Sequence, residues 1–324
     1  MDKLNFLSLL QQNYDRISNF FGYDKATAIR IPLAVQYTFS RETFSGVAFE
    51  KNVEKIQKEN AKQSFVELIT TFSSTSTLSY KLAAYLVLHK TSQKEVERLI
   101  ENEQYLVAAG FKKSPYQNIA AVFLNDAAHA KRAKKLHEEM RKHHYFLTGK
   151  DDIPYAVLLT KDLADAQVQA QTMRTYYDHL INQGFKGGDS LQAACQLLTL
   201  YNEQFQPEFV DYISAIKAAL ASKEILVKKR HYPYLAVLAL TASTTAIVEN
   251  IADMTKALST LKMYQGDHVY PLMTAIHYVV HEMIEAEKLV QLTDISSLMQ
   301  ALDVSDFLLD FTFFFGLDIL DLFT

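Results

Sequence analysis

The residues best placed to do chemistry are His277-Tyr278-Val279-Val280-His281-Glu282, followed by Glu285. Positions four apart share one face of a helix. His277, His281 and Glu285 would therefore present two imidazoles and a carboxylate, a donor set suited to a divalent metal. This is not the zinc-protease signature, which needs Glu directly after the first His, where this chain has Tyr278. The competing reading is a structural or solvated histidine pair.

Other clusters are weaker. His137, His143 and His144 accompany Lys131, Arg132, Lys134, Lys135, Arg141 and Lys142, and Lys228-Lys229-Arg230-His231 echoes them further on. Such basic stretches could hold phosphate, an acidic peptide or RNA, but they also suit the solvated face of an exposed helix. Asp151-Asp152 precedes Pro154; paired carboxylates can do acid–base or metal work, yet a helix cap is the expected role. Lys186-Gly187-Gly188-Asp189-Ser190 could cradle an anion at a helix start, without Walker spacing or a preceding strand. Cys195, the single cysteine, is expected to be core packing, because a reactive thiol needs exposure and a cationic neighbour. The sequence has no nucleophile elbow, Rossmann fingerprint, EF-hand loop or paired-Cys zinc pattern. Catalytic residues are not assigned.

The elements that must position these residues follow from a repeat. Four of the six prolines, Pro115, Pro154, Pro233 and Pro271, each open an apolar run that reads as a helix. Proline is tolerated there because its missing N–H has no intrahelical partner. The next residues, Tyr116, Tyr155, Tyr234 and Leu272, together with Tyr80 and Leu191, form six anchors spaced 36, 39, 36, 43 and 38 apart. That spacing belongs to two-helix solenoid repeats. Small residues recur after each anchor (Ala83, Ala120, Ala156, Ala193, Ala236, Ala275), which makes these the close-packed inner helices. The charged helices before them are read as Val96–Ala109, Ala133–Tyr145, Met173–Gln183, Phe209–Lys223 and Ala252–Gln265. They end at Gly110-Phe111, Phe146, Gly184-Phe185, Ile225 and Gly266, where glycine suits a left-handed closure and the apolar residue clamps the turn. Leu4–Phe21 and Lys25–Phe39 read as two earlier helices, Asn52–Phe72 as the first outer one, and Pro32 as a further anchor or a kink.

The chain has 324 residues, 49% apolar and 22% charged, with only nine Gly, which disfavours all-β and Gly-loop-rich folds. Net charge is −4, too mild to favour a nucleic-acid partner, but residues 281–324 carry nine acids and one base. The apolar run Phe307–Phe323 is broken by Asp310, Asp318 and Asp321, which rules out a bilayer span. No secretory leader is visible, so a cytoplasmic protein is expected.

The segments Ala109-Gly110-Phe111-Lys112-Lys113-Ser114 and Phe146-Leu147-Thr148-Gly149-Lys150-Asp151-Asp152-Ile153-Pro154-Tyr155 resemble the helical bacterial family called domain of unknown function four thousand and three. The resemblance covers most of the chain. It implies a bacterial, Gram-positive, cytoplasmic protein and brings no reaction, ligand or functional residue.

The sequence thus predicts an all-α chain: an α-α superhelix of about six helix-pair repeats of 36–43 residues, in one domain over 1–324. Residues 1–50 form an N-terminal helical cap, 51–281 the repeats, and 282–324 an acidic, Phe-rich C-terminal cap, with Ile284–Leu292, Ile295–Leu302 and Phe307–Phe323 as its segments. The expected function is non-enzymatic: a binding or scaffold protein recognising a peptide or partner protein. Its binding residues would be Lys112, Lys113, Lys150, Lys186, Lys228, Lys229 and Arg230, along the loops before the inner helices. The alternative is a metal-binding protein or hydrolase-like enzyme at His277, His281 and Glu285, with a divalent metal. Self-association through the C-terminal segment is a third expectation.

Overall fold

The computed structural model describes residues 1–22, 27–59, 77–200, 202–241 and 247–285. Among the described residues there are fourteen α-helices and no strand, so the chain is all-α as expected. They fall into two compact units, one within residues 1–104 and one from 105 onward, and the division lies inside a helix.

The first unit holds α1 (Lys3–Phe21), α2 (Thr27–Phe39), α3 (Gly46–Glu59), α4 (Thr77–Leu88) and most of α5 (Gln93–Ala108). α1 packs on α2 and α3, and α4 covers both of those. Phe20, Phe21, Phe44 and Phe49 pack together in edge-on and tilted pairs, with ring centroids 4.7–6.4 Å apart. Buried Asn13 donates to Thr38 Oγ1 and to the Glu42 carbonyl, and accepts from Phe44 N–H at 2.8 Å. One amide thereby fixes the loop between α2 and α3. Pro32 lies inside α2 and starts no helix.

The second unit holds α6 (Pro115–Phe123), α7 (Ala127–His143), α8 (Ile153–Leu159), α9 (Ala166–Asn182), α10 (Asp189–Leu198), α11 (Pro207–Ser222), α12 (Tyr232–Leu240), α13 (Ile247–Ser259) and α14 (Tyr270–Glu285). Alternate helices form two rows. α7, α9, α11 and α13 each pack on the next in one row; α6, α8, α10, α12 and α14 do so in the other. Every residue of α8 and α12 is buried, so the second row is the inner one. Each Val or Leu enclosed there contributes about 1.5–3 kcal/mol of hydrophobic stabilisation. Ala120, Ala156, Ala194, Ala236 and Ala275 are at most 2% exposed and let the inner helices approach. Ala194 replaces the predicted Ala193, which is half-buried.

Pro115 takes the first helical position behind Ser114, whose Oγ caps Gln117 N–H; Pro154, Pro233 and Pro271 each take the second. Gly110 (φ 97°) and Gly184 (φ 77°) close α5 and α9 in the left-handed region, as does Glu224 (φ 64°) after α11. In each case the following N–H bonds the carbonyl five residues back, from Phe111 to Leu106, Phe185 to Leu180 and Ile225 to Leu220. Phe111, Phe185 and Ile225 are buried.

Several helix boundaries differ from expectation: α9 and α13 start seven and five residues earlier, at Ala166 and Ile247, and two further differences have a visible cause. α7 starts at Ala127, because Asp126 Oδ1 accepts His129 N–H at 2.7 Å and caps it there. α13 stops at Ser259 and is followed by a short 3₁₀ turn, Lys262–Tyr264. The hydroxyls of Thr255, Ser259 and Thr260 bond back to carbonyls three or four residues earlier, competing with the helical ladder. Residues 60–72 of the predicted first outer helix lie outside the described residues, as do 286–324, which contain Ile295–Leu302, Phe307–Phe323 and nearly all of the 282–324 cap.

Candidate functional site

The loop between α7 and α8 breaks the pattern of the other turns in two ways. Phe146, expected to clamp the turn like Phe111 and Phe185, is 96% exposed, with Tyr145 beside it. The chain closes instead through Leu147 and Thr148 N–H groups donating to the His144 carbonyl. Arg141 lies 4.9 Å above the Tyr145 ring and holds it in place.

The second departure is Asp151-Asp152. Asp152 occupies the cap position of α8 but makes no side-chain cap bond to that helix, which corrects the capping expectation. Its Oδ2 accepts Gly149 N–H at 2.7 Å, and its Oδ1 accepts Gln192 Nε2 at 2.9 Å and Gln196 Nε2 at 2.5 Å. Both glutamines come from the same face of α10, so a buried carboxylate bridges two neighbouring inner helices. Asp189, at the start of α10, and Tyr116, at the start of α6, face the same place: both Asp151 and Tyr116 feel the charge of Asp189. Burial, then Asp152 and Asp189, push the Asp151 carboxyl well above the usual carboxylate range. Burial also raises Asp152, against the glutamine and Gly149 donors and the His137 ring, all of which favour its charged form. Burial and the three carboxylates raise the Tyr116 phenol, which stays neutral.

Two further features shape the cluster. Gly149 has no side chain where the Asp151 carboxylate sits; an added Cβ would lie 2.6 Å from Asp151 Oδ1. His137 donates from Nε2 to the Gly149 carbonyl at 2.7 Å and holds the loop from beneath. His137 and His129 are buried rather than part of a solvated basic face. Of the other members of that stretch, Lys131, Lys135, Arg141 and Lys142 are exposed, whereas Arg132, Lys134, His143 and His144 are half-buried. The buried carbonyl oxygens of Gln192 and Gln196 have no hydrogen-bond partner. Neither does the buried His144 Nε2, which with Thr148 and Gln192 lines a cavity of about 10 Å3.

The remaining loops have different chemistry. Lys112, Lys113, Lys150 and Lys186 are exposed; Lys228, Lys229 and Arg230 are half-buried. Hydrogen bonds link the loops in series. Tyr177 OH, whose ring sits edge-on to His144, accepts Gly188 N–H; Tyr232 OH accepts Lys186 N–H; and His231 Nε2 donates to the Val269 carbonyl. The Lys186–Ser190 turn has thus committed two of its N–H groups internally, which removes them from an anion cradle. His231 accepts Lys228 N–H at Nδ1, and burial pulls its pKa down to about 4.

His277 and His281 do share a face of α14, with ring centroids 5.0 Å apart and tilted by 37°. His277 is buried and His281 half-buried, while the Glu285 side chain lies outside the described residues. Among the described residues, no three His, Cys, Asp or Glu side chains are grouped to hold a metal ion. Cys195 is buried and its thiol is pushed up by that burial, so it is core. A larger cleft, about 470 Å3, lies in the first unit between the α2–α3 and α4–α5 turns. Its described lining carries one acid and one base, Glu42 and Lys90, without a cluster of like charges, so the α7–α8 loop holds the stronger chemistry. No helix among the described residues is long and apolar enough to cross a membrane.

Sequence reasoning missed Gln192, Gln196, Tyr116, Asp189 as an acid, and Gly149. The available signal was a pair of glutamines four apart in an otherwise apolar inner helix.

The chain is similar to the uncharacterized protein YeaA of Bacillus subtilis (strain 168), at 26% identity over 238 residues, 68% of this chain and 70% of that protein. No solved structure matches. The family described as "Protein of unknown function (DUF4003)" matches residues 13–303, and the chain belongs to that family.

Proposed function

We propose that this is a non-enzymatic binding or scaffold protein, and that the loop edge of the second unit recognises an acidic segment of a peptide or partner protein. The two rows of helices are, on this reading, turns of an α-α superhelix, the arrangement that gives repeat proteins extended binding surfaces. One observation carries the proposal. Hydrogen bonds tie the turn of Lys186 to Tyr232 and the turn of Lys228, Lys229 and Arg230 to Val269, and exposed Tyr145 and Phe146 and 71% exposed Leu226 stand on the loops of the same unit. Large apolar side chains at the rim of a charged surface suit a partner that offers both carboxylates and apolar groups.

A fluorescein-labelled peptide of alternating Glu and Phe is the probe. The full chain should bind it, more weakly as salt is raised, and reversal of Lys112, Lys113, Lys150 and Lys186 to Glu should weaken binding about tenfold or more. Binding indifferent to both salt and charge reversal contradicts the proposal, as does an absence of binding.

A further inference from the structure

The cleft of about 470 Å3 in the first unit has the size of a small-molecule site, and two closing turns contribute to its lining. α2 closes with Arg41 in the left-handed region (φ 56°) and Glu42 N–H bonded to the Tyr37 carbonyl. α4 closes in the same way, with Lys90 at φ 50° and Thr91 N–H bonded to the Leu86 carbonyl. α5 and α9 put Gly110 and Gly184 at that position, where glycine is unstrained. At α4 a lysine takes the strained conformation instead, and it lines the cleft. The opposite turn is fixed by buried Asn13, which donates to the Glu42 carbonyl and accepts Phe44 N–H.

Glu42 and Lys90 both line the cleft and are exposed. Among the described residues, they form no ion pair with each other or with any other group. Tyr37 lines the same space and is 4% exposed, yet its hydroxyl makes no hydrogen bond among the described residues. Burial, and then the charge of Glu42, raise that phenol, so it keeps its proton. Phe49, Leu86 and Val96, each at most 2% exposed, give the cleft an apolar wall. The cleft thus offers one anion, one cation, one neutral hydroxyl and an apolar surface, with neither charge cancelled by the other.

We propose that this cleft binds a small zwitterion with an apolar side chain, either a free α-amino acid or a dipeptide. The ligand's ammonium pairs with Glu42 and its carboxylate with Lys90, while Tyr37 supplies a hydrogen bond and the apolar wall takes the side chain. A ligand of one charge sign would leave Glu42 or Lys90 unanswered, and a single carboxylate is a poor set of ligands for a divalent metal. This site does not rest on the lysine-bearing edge of the second unit.

Isothermal titration calorimetry of the full chain with L-leucine, L-leucyl-L-leucine and N-acetyl-leucine methylamide is the test. Leucine, the dipeptide or both should bind, and the tighter of the two gives the length of ligand the cleft takes. The blocked derivative keeps the side chain and lacks both charges, so it should bind about tenfold more weakly or worse. Lys90→Gly removes the cation and suits the left-handed turn, so it should unfold at about the natural temperature yet weaken binding about tenfold or more. Glu42→Gln, an exposed change of equal shape, should weaken binding to a similar degree. Charge reversal of Lys112, Lys113, Lys150 and Lys186 should leave it unchanged, so this result is separable from that of the acidic peptide. Failure of both zwitterions to bind, equal binding of the blocked derivative, or undiminished binding in Lys90→Gly or Glu42→Gln overturns the proposal.

Discussion

At α8 and at α12, residues in the same place perform the same structural task with different chemistry. Asp152 and His231 each stand two residues before a proline, are buried, and accept the main-chain N–H three residues back, at 2.7 Å and 2.9 Å. Each also reaches the following helix pair, Asp152 through Gln192 and Gln196, His231 through the Val269 carbonyl. The neutral imidazole satisfies its neighbours and adds no charge. The carboxylate brings a desolvation penalty, two more acids and two amide carbonyls without partners. The turn at α12 is thus closed without charge, whereas the same closure at α8 carries charge and unsatisfied carbonyls.

The comparison can be broken from the His231 side first. His231→Ala strips a partner from Lys228 N–H and from the Val269 carbonyl inside the second unit. Chemical denaturation should show a loss of about 3 kcal/mol, one to three for each orphaned group plus lost packing. A loss under about 1 kcal/mol would mean the turn holds itself closed without the ring.

Acid should act through the same residue. His231, pulled down from 6.5 to about 4 chiefly by burial, binds its proton more weakly when folded. Its contribution is therefore complete above pH 6.5 and is lost as the pH falls toward 4, by up to about 3 kcal/mol. His129, also lowered mainly by burial, and with Asn125 N–H on Nδ1, adds in the same direction. Stability measured from pH 7 to 4.5 should decline in the natural chain and decline less in His231→Gln. Parallel profiles would count against the neutral-imidazole staple.

Asp152→Ala should be milder, at about 1–2 kcal/mol, because relief of like-charge repulsion offsets the three lost acceptor contacts. A loss as large as that of His231→Ala would make Asp152 as purely structural as the imidazole. Smallest of all, Lys228, Lys229 and Arg230 changed together to Ala should move stability by no more than about 0.5 kcal/mol. Their effect belongs in the binding of the acidic peptide, which should weaken.

Much of the architecture was legible because its causes are local. Prolines at the first or second helical position, glycines at left-handed closures and buried Phe111, Phe185 and Ile225 all act within one turn of chain. The site was not legible because its bonds span distance: Asp152 meets Gln192 and Gln196 across 40 and 44 residues. Read locally, Asp151-Asp152 before a helix is a cap, and the error was to assign a nearby donor to an acid whose donors sit on another helix. His137 was obscured similarly, since a charged stretch of helix has a buried face whose members the charge pattern does not reveal. Phe146 shows the reverse, a residue of clamping type left exposed where the chain departs from its own pattern.

Unfolding of Asp151→Asn against the natural chain at pH 7 tests the contrast between the two turns most directly. The raised Asp151 carboxyl favours folding only where it is protonated, and that contribution disappears as the pH rises through its folded value. Burial and the neighbouring Asp152 and Asp189 disfavour the charged carboxylate, so the asparagine variant should be more stable at pH 7, with a Tm higher by about 2–4 °C. A lower Tm would show that the carboxylate serves the structure, and would contradict the contrast drawn between the charged turn at α8 and the neutral one at α12.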